Sequence, residues 1–161
     1  METSLLAGQA VFTWSISLWL ALGAIENVRH PKVNRDGVAD VMSMKRMAAE
    51  YPDGYETFKA NRTEDARRHA LAFRAIVIAE ILGGIICVAG AVALTLALVG
   101  LAPVEGARVL ASWGAIAFTA IWSAFLVGGQ WYHYWCGYES SQATHLAATI
   151  WGMLAFITLH L

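Results

Sequence analysis

The chain has 161 residues, 58% of them hydrophobic and 14% charged, with a formal net charge of −1 and a mean hydropathy of +0.52. Soluble domains carry about 25% charged residues, so this composition excludes an ordinary water-soluble fold. The near-neutral balance, with no basic tail and no recognition motif, excludes a nucleic-acid-binding role.

In chain order, the opening METSLLAGQA lacks the basic start of a secretory signal, and the apolar run behind it is too long for one; it reads as a retained membrane anchor. A helix needs about 20 mainly apolar residues to cross the hydrocarbon of a bilayer. Four segments meet that requirement, at about residues 5–27, 69–100, 107–135 and 141–161. Each is expected to be a helix, because backbone amides cannot go unpaired in lipid and four segments are too few for a barrel. The expected architecture is therefore an all-α integral membrane protein, a single domain over 1–161, with four transmembrane helices in an up-down bundle.

Between the first two helices lies a polar loop, about 28–68. Ten of the eleven Lys and Arg residues fall between Arg29 and Arg74, the eleventh being Arg108. Within the loop, Val38, Val41, Met44, Met47 and Ala48 recur at helical spacing with Asp40, Lys45, Arg46 and Glu50 between them. That pattern predicts one short amphipathic helix. The stretch Tyr51-Pro52-Asp53-Gly54 should end it as a turn, and Thr63 is the expected cap of the next helix, with Glu64 and Asp65 at its positive end. Pro103 and Gly106 mark a tight turn between helices two and three.

The basic residues flanking the membrane ends of helices one and two place this loop in the cytoplasm and both termini in the periplasm, by the positive-inside rule. The polar residues of the helices then gather at the cytoplasmic level. Glu26, Arg74, Glu80, Gln130, His133 and His145 form an expected intramembrane polar cluster, with Asn27, His30 and His69 at the same level. Glu80 lies about 9 Å below Arg74 along the helix at ~1.5 Å per residue, where a carboxylate costs several kcal/mol unless paired or protonated. It is either a proton, cation or ligand site, or a buried carboxylate hydrogen-bonded to a Trp indole, Gln130 or Arg74. Gly83 and Gly84 beside it, and Gly128 and Gly129 late in helix three, are expected at close helix contacts. Trp131, Tyr132 and Trp135 read as an interfacial aromatic belt, or as the lining of a quinone or lipid pocket. His133 and His145 invite haem ligation, yet both lie near helix ends; interfacial histidines with satisfied hydrogen bonds are the competing reading. No nucleophile–base set, phosphate loop or metal spacing occurs, and Cys87 and Cys136 form no motif.

The segment Trp19-Leu20-Ala21-Leu22-Gly23-Ala24-Ile25-Glu26-Asn27, with Pro31 and Asn34 after it, resembles the first-helix signature of a bacterial family of predicted small integral membrane proteins, domain-of-unknown-function family 2165. So do Val41-Met42-Ser43-Met44, Glu80 in helix two, and the stretch from Trp122 to Trp135 with Gly128-Gly129-Gln130-Trp131. The resemblance spans nearly the whole chain and implies four membrane helices, but brings no known activity. The chain departs from the family pattern at Glu26-Asn27, where an Asn pair is expected, and at Gln130, where the pattern has an acid.

The functional expectation is a non-enzymatic inner-membrane protein that packs laterally against other integral membrane subunits or a second copy of itself, as an accessory subunit of a respiratory or photosynthetic assembly. No cofactor is expected. The alternatives are a haem- or quinone-binding electron-transfer subunit, and a small proton-coupled transporter centred on Glu80.

Overall fold

The computed structural model describes residues 2–161, and among these the regular structure is helical throughout. In chain order the helices are α1 (Glu2–Arg29), α2 (Pro31–Met42), α3 (Lys45–Glu50), α4 (Pro52–Phe58), α5 (Ala66–Leu98), α6 (Val104–Trp131) and α7 (Glu139–Thr158), with a 3-10 turn at Lys59–Asn61 after α4.

Helices α1, α5 and α6 are each long and apolar enough to cross a membrane. Their outward faces carry rows of exposed apolar side chains, such as Val11, Leu18, Leu22 and Ile25 on α1 and Ile78, Leu82 and Ile85 on α5. In water these would form patches far larger than a soluble monomer tolerates; in lipid they face their proper solvent. The expected fourth span is less clear. Helix α7 has 20 residues, but its start from Glu139 to His145 is mostly polar, and the apolar run begins only at Leu146.

The four long helices run antiparallel in sequence order. Helix α5 packs on α1 and on α6, α7 packs on α6, and α1 closes the ring with lighter contacts to α6 and α7. The buried positions recur at alternating steps of three and four. One such series runs through Leu6, Ala10, Thr13, Ser17, Leu20, Ala24 and Asn27 on α1, and another through Glu80, Gly83, Cys87, Gly90, Leu94 and Ala97 on α5, with Phe73 two turns before Glu80. Helix α6 supplies Ala107, Ala111, Gly114 and Phe118, and α7 supplies Ala148, Gly152 and Ala155. That is the spacing of a coiled-coil seam, with small residues where lipid-embedded helices need close approach.

The closest approach is between α5 and α6. A Cβ added at Gly90 would lie 2.6 Å from the Ala111 Cα, and one at Gly114 would lie 2.9 Å from the Cys87 Cα. The Cys87 thiol donates to the Gly114 carbonyl at 3.1 Å across the same contact. Gly152 of α7 is equally tight against Thr119 and Phe118. Of the four glycines expected at helix contacts, Gly83 has Ile121 and Leu20 against it and Gly84 makes ordinary contact with the Ala21 backbone. Gly129 meets the Tyr134 ring of its own connection, and Gly128 has nothing within 4 Å.

At the end holding the α5–α6 turn, the seam is closed by polar ties. The Arg108 Nε donates to Gln9 Oε1 at 3.0 Å, and Gln9 Nε2 donates to the Thr158 carbonyl at 2.7 Å. One side chain of α1 thus links α6 and α7. Trp14 Nε1 donates to Thr95 Oγ1 at 3.0 Å, tying α1 to α5.

The polar loop differs from the expected single amphipathic helix. The helix breaks at Ser43–Met44, where Met44 adopts a left-handed φ of 53°. The break is stabilised by burial, since Met44 and Met47 pack with Cys136 from the α6–α7 connection. Pro52 starts a further helix, α4, rather than ending one in a turn, because its fixed φ suits a first helical position. The cap of α5 is Asp65, which accepts from the Arg67 amide, not Thr63. Thr63 instead donates its amide to the Met42 carbonyl at 2.8 Å, closing the loop onto the end of α2.

The α5–α6 backbone contact has a direct consequence. Gly90→Ala and Gly114→Ala should each cost about 1–3 kcal/mol, the usual range for overpacking. Gly128→Ala, which meets open space, should be neutral or gain up to ~1 kcal/mol from helix propensity. Thermal unfolding of the three variants in detergent checks the ranking.

Candidate functional site

The end of the bundle beneath the polar loop is built differently. Helix α1 ends at Arg29, and α2 starts at Pro31 and turns back over α5. Asn34, one turn into α2, donates through Nδ2 to Asn27 Oδ1 at 2.6 Å. Asn27 in turn donates through Nδ2 to Glu80 Oε2 at 2.6 Å. Asn27 and Glu80 are each 5% exposed. The buried carboxylate is therefore met by an amide, which carries the polar chain from the bundle interior to the covering helix.

The expected polar cluster is thus drawn together only in part. Glu80 is buried in the seam, but Glu26, Arg74 and Gln130 are exposed. For Glu26 the reason is helical phase. It lies one residue, about 100°, away from the seam position that Asn27 occupies. The seam spacing of Leu20 and Ala24 points to Asn27 and is the signal by which this residue is found. Glu80 also borders the outer groove between α1 and α5, a space of about 630 Å³ lined by Ala21, Ala24, Gly84 and Val88, with Arg29 on its rim.

Of the four histidines at this end, His30 is exposed between α1 and α2, and the other three occupy separate surroundings. His69 Nε2 donates to the Thr63 carbonyl at 2.7 Å. His133, held at a left-handed φ of 51°, lies against Phe58 with the rings tilted and their centroids 4.1 Å apart, and is edge-on to Trp135 at 6.0 Å. His145, on the second turn of α7, sits at the centre of an aromatic cluster. Its ring is 4.8 Å from Phe125, 5.5 Å from Trp122 and 5.9 Å from Tyr134. Among the described residues, no group of three or more His, Cys, Asp or Glu side chains is placed to hold a metal.

Tyr134 reaches this cluster because α6 ends in a sharp reversal. The Tyr134 amide bonds the Gly129 carbonyl at 3.0 Å, and its ring lies where any Gly129 Cβ would be, at 2.5 Å. Gly137, at a φ of +85°, completes the connection. Its carbonyl accepts from Arg46 Nη1 at 2.6 Å, and the Arg46 guanidinium lies 4.8 Å from the Tyr138 ring centroid. Asn61 Nδ2 donates to the Trp131 carbonyl at 3.1 Å, a second stitch between the polar loop and this connection. Of the expected aromatic belt, Trp131 and Trp135 are exposed, while Tyr132 is half-buried and faces Thr63.

Together these elements enclose a cleft of about 600 Å³, within the range of small-molecule sites. Its walls come from α2 (Val38, Val41), α5 (Phe73, Ile76, Glu80) and α6 (Ile121, Trp122, Phe125), with Tyr134, Tyr138 and His145 from the connection and α7. Four of these residues carry a buried polar atom without a protein hydrogen-bond partner, Trp122 Nε1, Tyr134 Oη, Tyr138 Oη and His145 Nδ1, and the Trp122, Tyr134 and His145 rings meet in one cluster. Buried polar atoms are paired in the great majority of cases, so three in one ring cluster define the site. Burial pushes the Tyr134 phenol above its ordinary range, so it remains an O–H donor at neutral pH.

An all-helical chain with at least three apolar helices long enough to span, and with lipid-facing apolar surfaces, is a multi-pass integral membrane protein. The chain belongs to the family described as "Predicted small integral membrane protein (DUF2165)", which matches residues 5–161. No curated protein and no solved structure matches it.

The Asn27–Glu80 pair predicts an asymmetry between two variants. Asn27→Leu leaves the buried carboxylate without its donor and should cost about 1–3 kcal/mol or more. Glu80→Gln keeps an oxygen to accept from Asn27 and should cost clearly less. Equal losses in detergent unfolding would show that the carboxylate does not depend on Asn27.

Proposed function

We propose that this protein crosses the bacterial inner membrane four times and works by binding, without catalysis of its own. In this reading the cleft beneath α2 holds a small amphipathic molecule drawn from the membrane. The observation that carries it is the grouping of Trp122 Nε1, Tyr134 Oη and His145 Nδ1 on one apolar cleft. An apolar wall with a few convergent polar groups is the usual form of a small-molecule site. Haem fits the cleft less well, because His133 and His145 belong to different ring clusters and a paired axial ligation needs two histidines facing one space.

The fourth crossing is supported by α7 itself. It exposes Ile150, Met153, Leu154 and Ile157 outward, lies against α6 and α1, and its 20 residues span about 30 Å at ~1.5 Å per residue, the thickness of the hydrocarbon. Its polar first turns then lie at the level of the aromatic cluster. The charge bias at Arg29, Lys32, Arg67, Arg68 and Arg74 supports a cytoplasmic α2–α4 segment. Lateral packing against another membrane subunit is a second reading. It is favoured by the groove between α1 and α5, whose small side chains Ala21, Ala24 and Gly84 let a partner helix approach closely.

Two measurements test this. Protein purified gently from its own membranes should release, on solvent extraction and mass spectrometry, one apolar compound in near-equal amount to the chain. Release of bulk phospholipid alone would count against the cleft as a binding site. Both native cysteines are buried, so Val33→Cys and Leu161→Cys report orientation cleanly. An impermeant maleimide applied to intact spheroplasts should label Leu161→Cys and spare Val33→Cys. Labelling of neither or of both would overturn the four-span topology.

A further inference from the structure

The cleft has a charge and donor pattern that narrows its occupant. None of the residues lining it is Lys or Arg, and Glu80 is part of its wall. A phosphate or carboxylate head would therefore enter an apolar space with no cation to meet it and an acid beside it, at a cost of several kcal/mol. The unpartnered polar atoms point to the complementary chemistry. Trp122 Nε1 is a donor only. Tyr134 keeps its proton and donates. His145 Nδ1 donates in one neutral tautomer. The site thus offers hydrogen-bond donors, and its ligand must bring acceptors without charge.

Resting on the reading of the cleft as a small-molecule site, we propose that it recognises a neutral membrane lipid whose head presents carbonyl oxygens, with an apolar tail lying along Val38, Val41, Phe73 and Ile76. Isoprenoid quinones and diacylglycerols share that chemistry. The flat rings of Phe125 and Tyr134, both stacked with His145, form a wall that a planar head can lie against. Headgroups bearing phosphate and free fatty acids are excluded by the same charge pattern.

The free protein gives the proposal an unusual signature. Removing a buried hydroxyl that has no partner does not destabilise a fold, since nothing is left unpaired. Tyr134→Phe should therefore unfold at the same temperature as the parent, or higher, when delipidated in detergent. The same substitution should weaken ligand binding, because one donor to the head is lost; a hydrogen bond of about 1–1.5 kcal/mol corresponds to roughly a 5- to 12-fold loss. Trp122→Phe should act likewise, and the double variant should lose still more.

The experiment is calorimetric titration of the delipidated full chain, in a non-ionic detergent, with four probes: decylubiquinone, dioctanoylglycerol, dodecanoate and dodecyl phosphate. The expected result is binding of a neutral carbonyl probe and weakening in Tyr134→Phe and Trp122→Phe, with no binding of the two anions. The decylubiquinone and dioctanoylglycerol arms separate a quinone site from an acylglycerol site. Preferred binding of an anionic probe would overturn the neutral-head assignment while leaving the cleft a binding site. Binding of none of the four would overturn both readings. Equal affinity in the parent and both variants would show that the head does not engage these donors, and would likewise overturn the assignment.

Discussion

The fold depends on one close approach. Where α5 and α6 cross, Gly90 faces the Ala111 backbone and Gly114 faces the Cys87 backbone, with no space for a Cβ on either glycine. Lipid supplies no hydrophobic drive for helices to associate, so van der Waals contact between backbones has to do what apolar burial does in water. This contact fixes the depth at which α5 and α6 meet. The seams to α1 and α7 follow from it, each repeating at three and four residues with small side chains at the points of contact. The cleft lies beyond this contact, where large side chains are added to the small ones. Toward the polar loop the facing side chains become Phe73 and Ile76 on α5 and Ile121, Trp122 and Phe125 on α6, and side chains of that size hold helices further apart than glycines do.

The polar loop acts as the cover of that wider end. Its attachments are specific: Asn34 reaches back to Asn27, and two come from distant parts of the chain, Asn61 to the Trp131 carbonyl and Arg46 to the Gly137 carbonyl. Most exposed ion pairs contribute little, and those of this loop, such as Lys59 with Glu56, lie within the loop itself. What holds the cover down is the set of side chains donating to the backbone of the α6–α7 connection, together with Met44, Met47 and Cys136 packing beneath it. The charged segment that most plainly marks the chain as membranous is therefore also one wall of the site.

Hydropathy and charge segregation made the membrane class and the helical architecture legible in the sequence, because the bilayer imposes length and composition on any span; the family was legible in local motifs such as Trp19 to Asn27 and Gly128-Gly129-Gln130-Trp131. The loop was not legible in the same way. The break at Met44 carries no Gly or Pro to announce it, and is held by contacts to Cys136, some ninety positions along the chain. Helical phase separates Asn27 from Glu26 and could have been read from the three-four spacing of Leu20, Ala24 and Asn27. The grouping of Trp122, Tyr134 and His145 could not, because it rests on the reversal at Gly129 and on how α7 leans on α6. Sequence distance says nothing of either.

The two ends of the bundle are instructive when set against each other. At the far end Gln9 uses both atoms of its amide, accepting from Arg108 and donating to Thr158, while Trp14 finds Thr95. Polar groups brought into that part of the seam are paired. At the near end the same chain pairs Glu80 with Asn27, yet leaves an indole N–H, a phenol and an imidazole nitrogen without protein partners inside one ring cluster. Leaving a buried polar group unpaired costs about 1–3 kcal/mol each, a large share of a total stability of roughly 5–15 kcal/mol. Phenylalanine at any of these positions would fill similar space without that cost. A fold that satisfies its polar atoms at one end and concentrates unsatisfied ones at the other is not simply poorly packed. Apart from His133 Nδ1, the unpaired atoms belong to residues that wall one cleft, which is where an acceptor-bearing molecule would offset their cost.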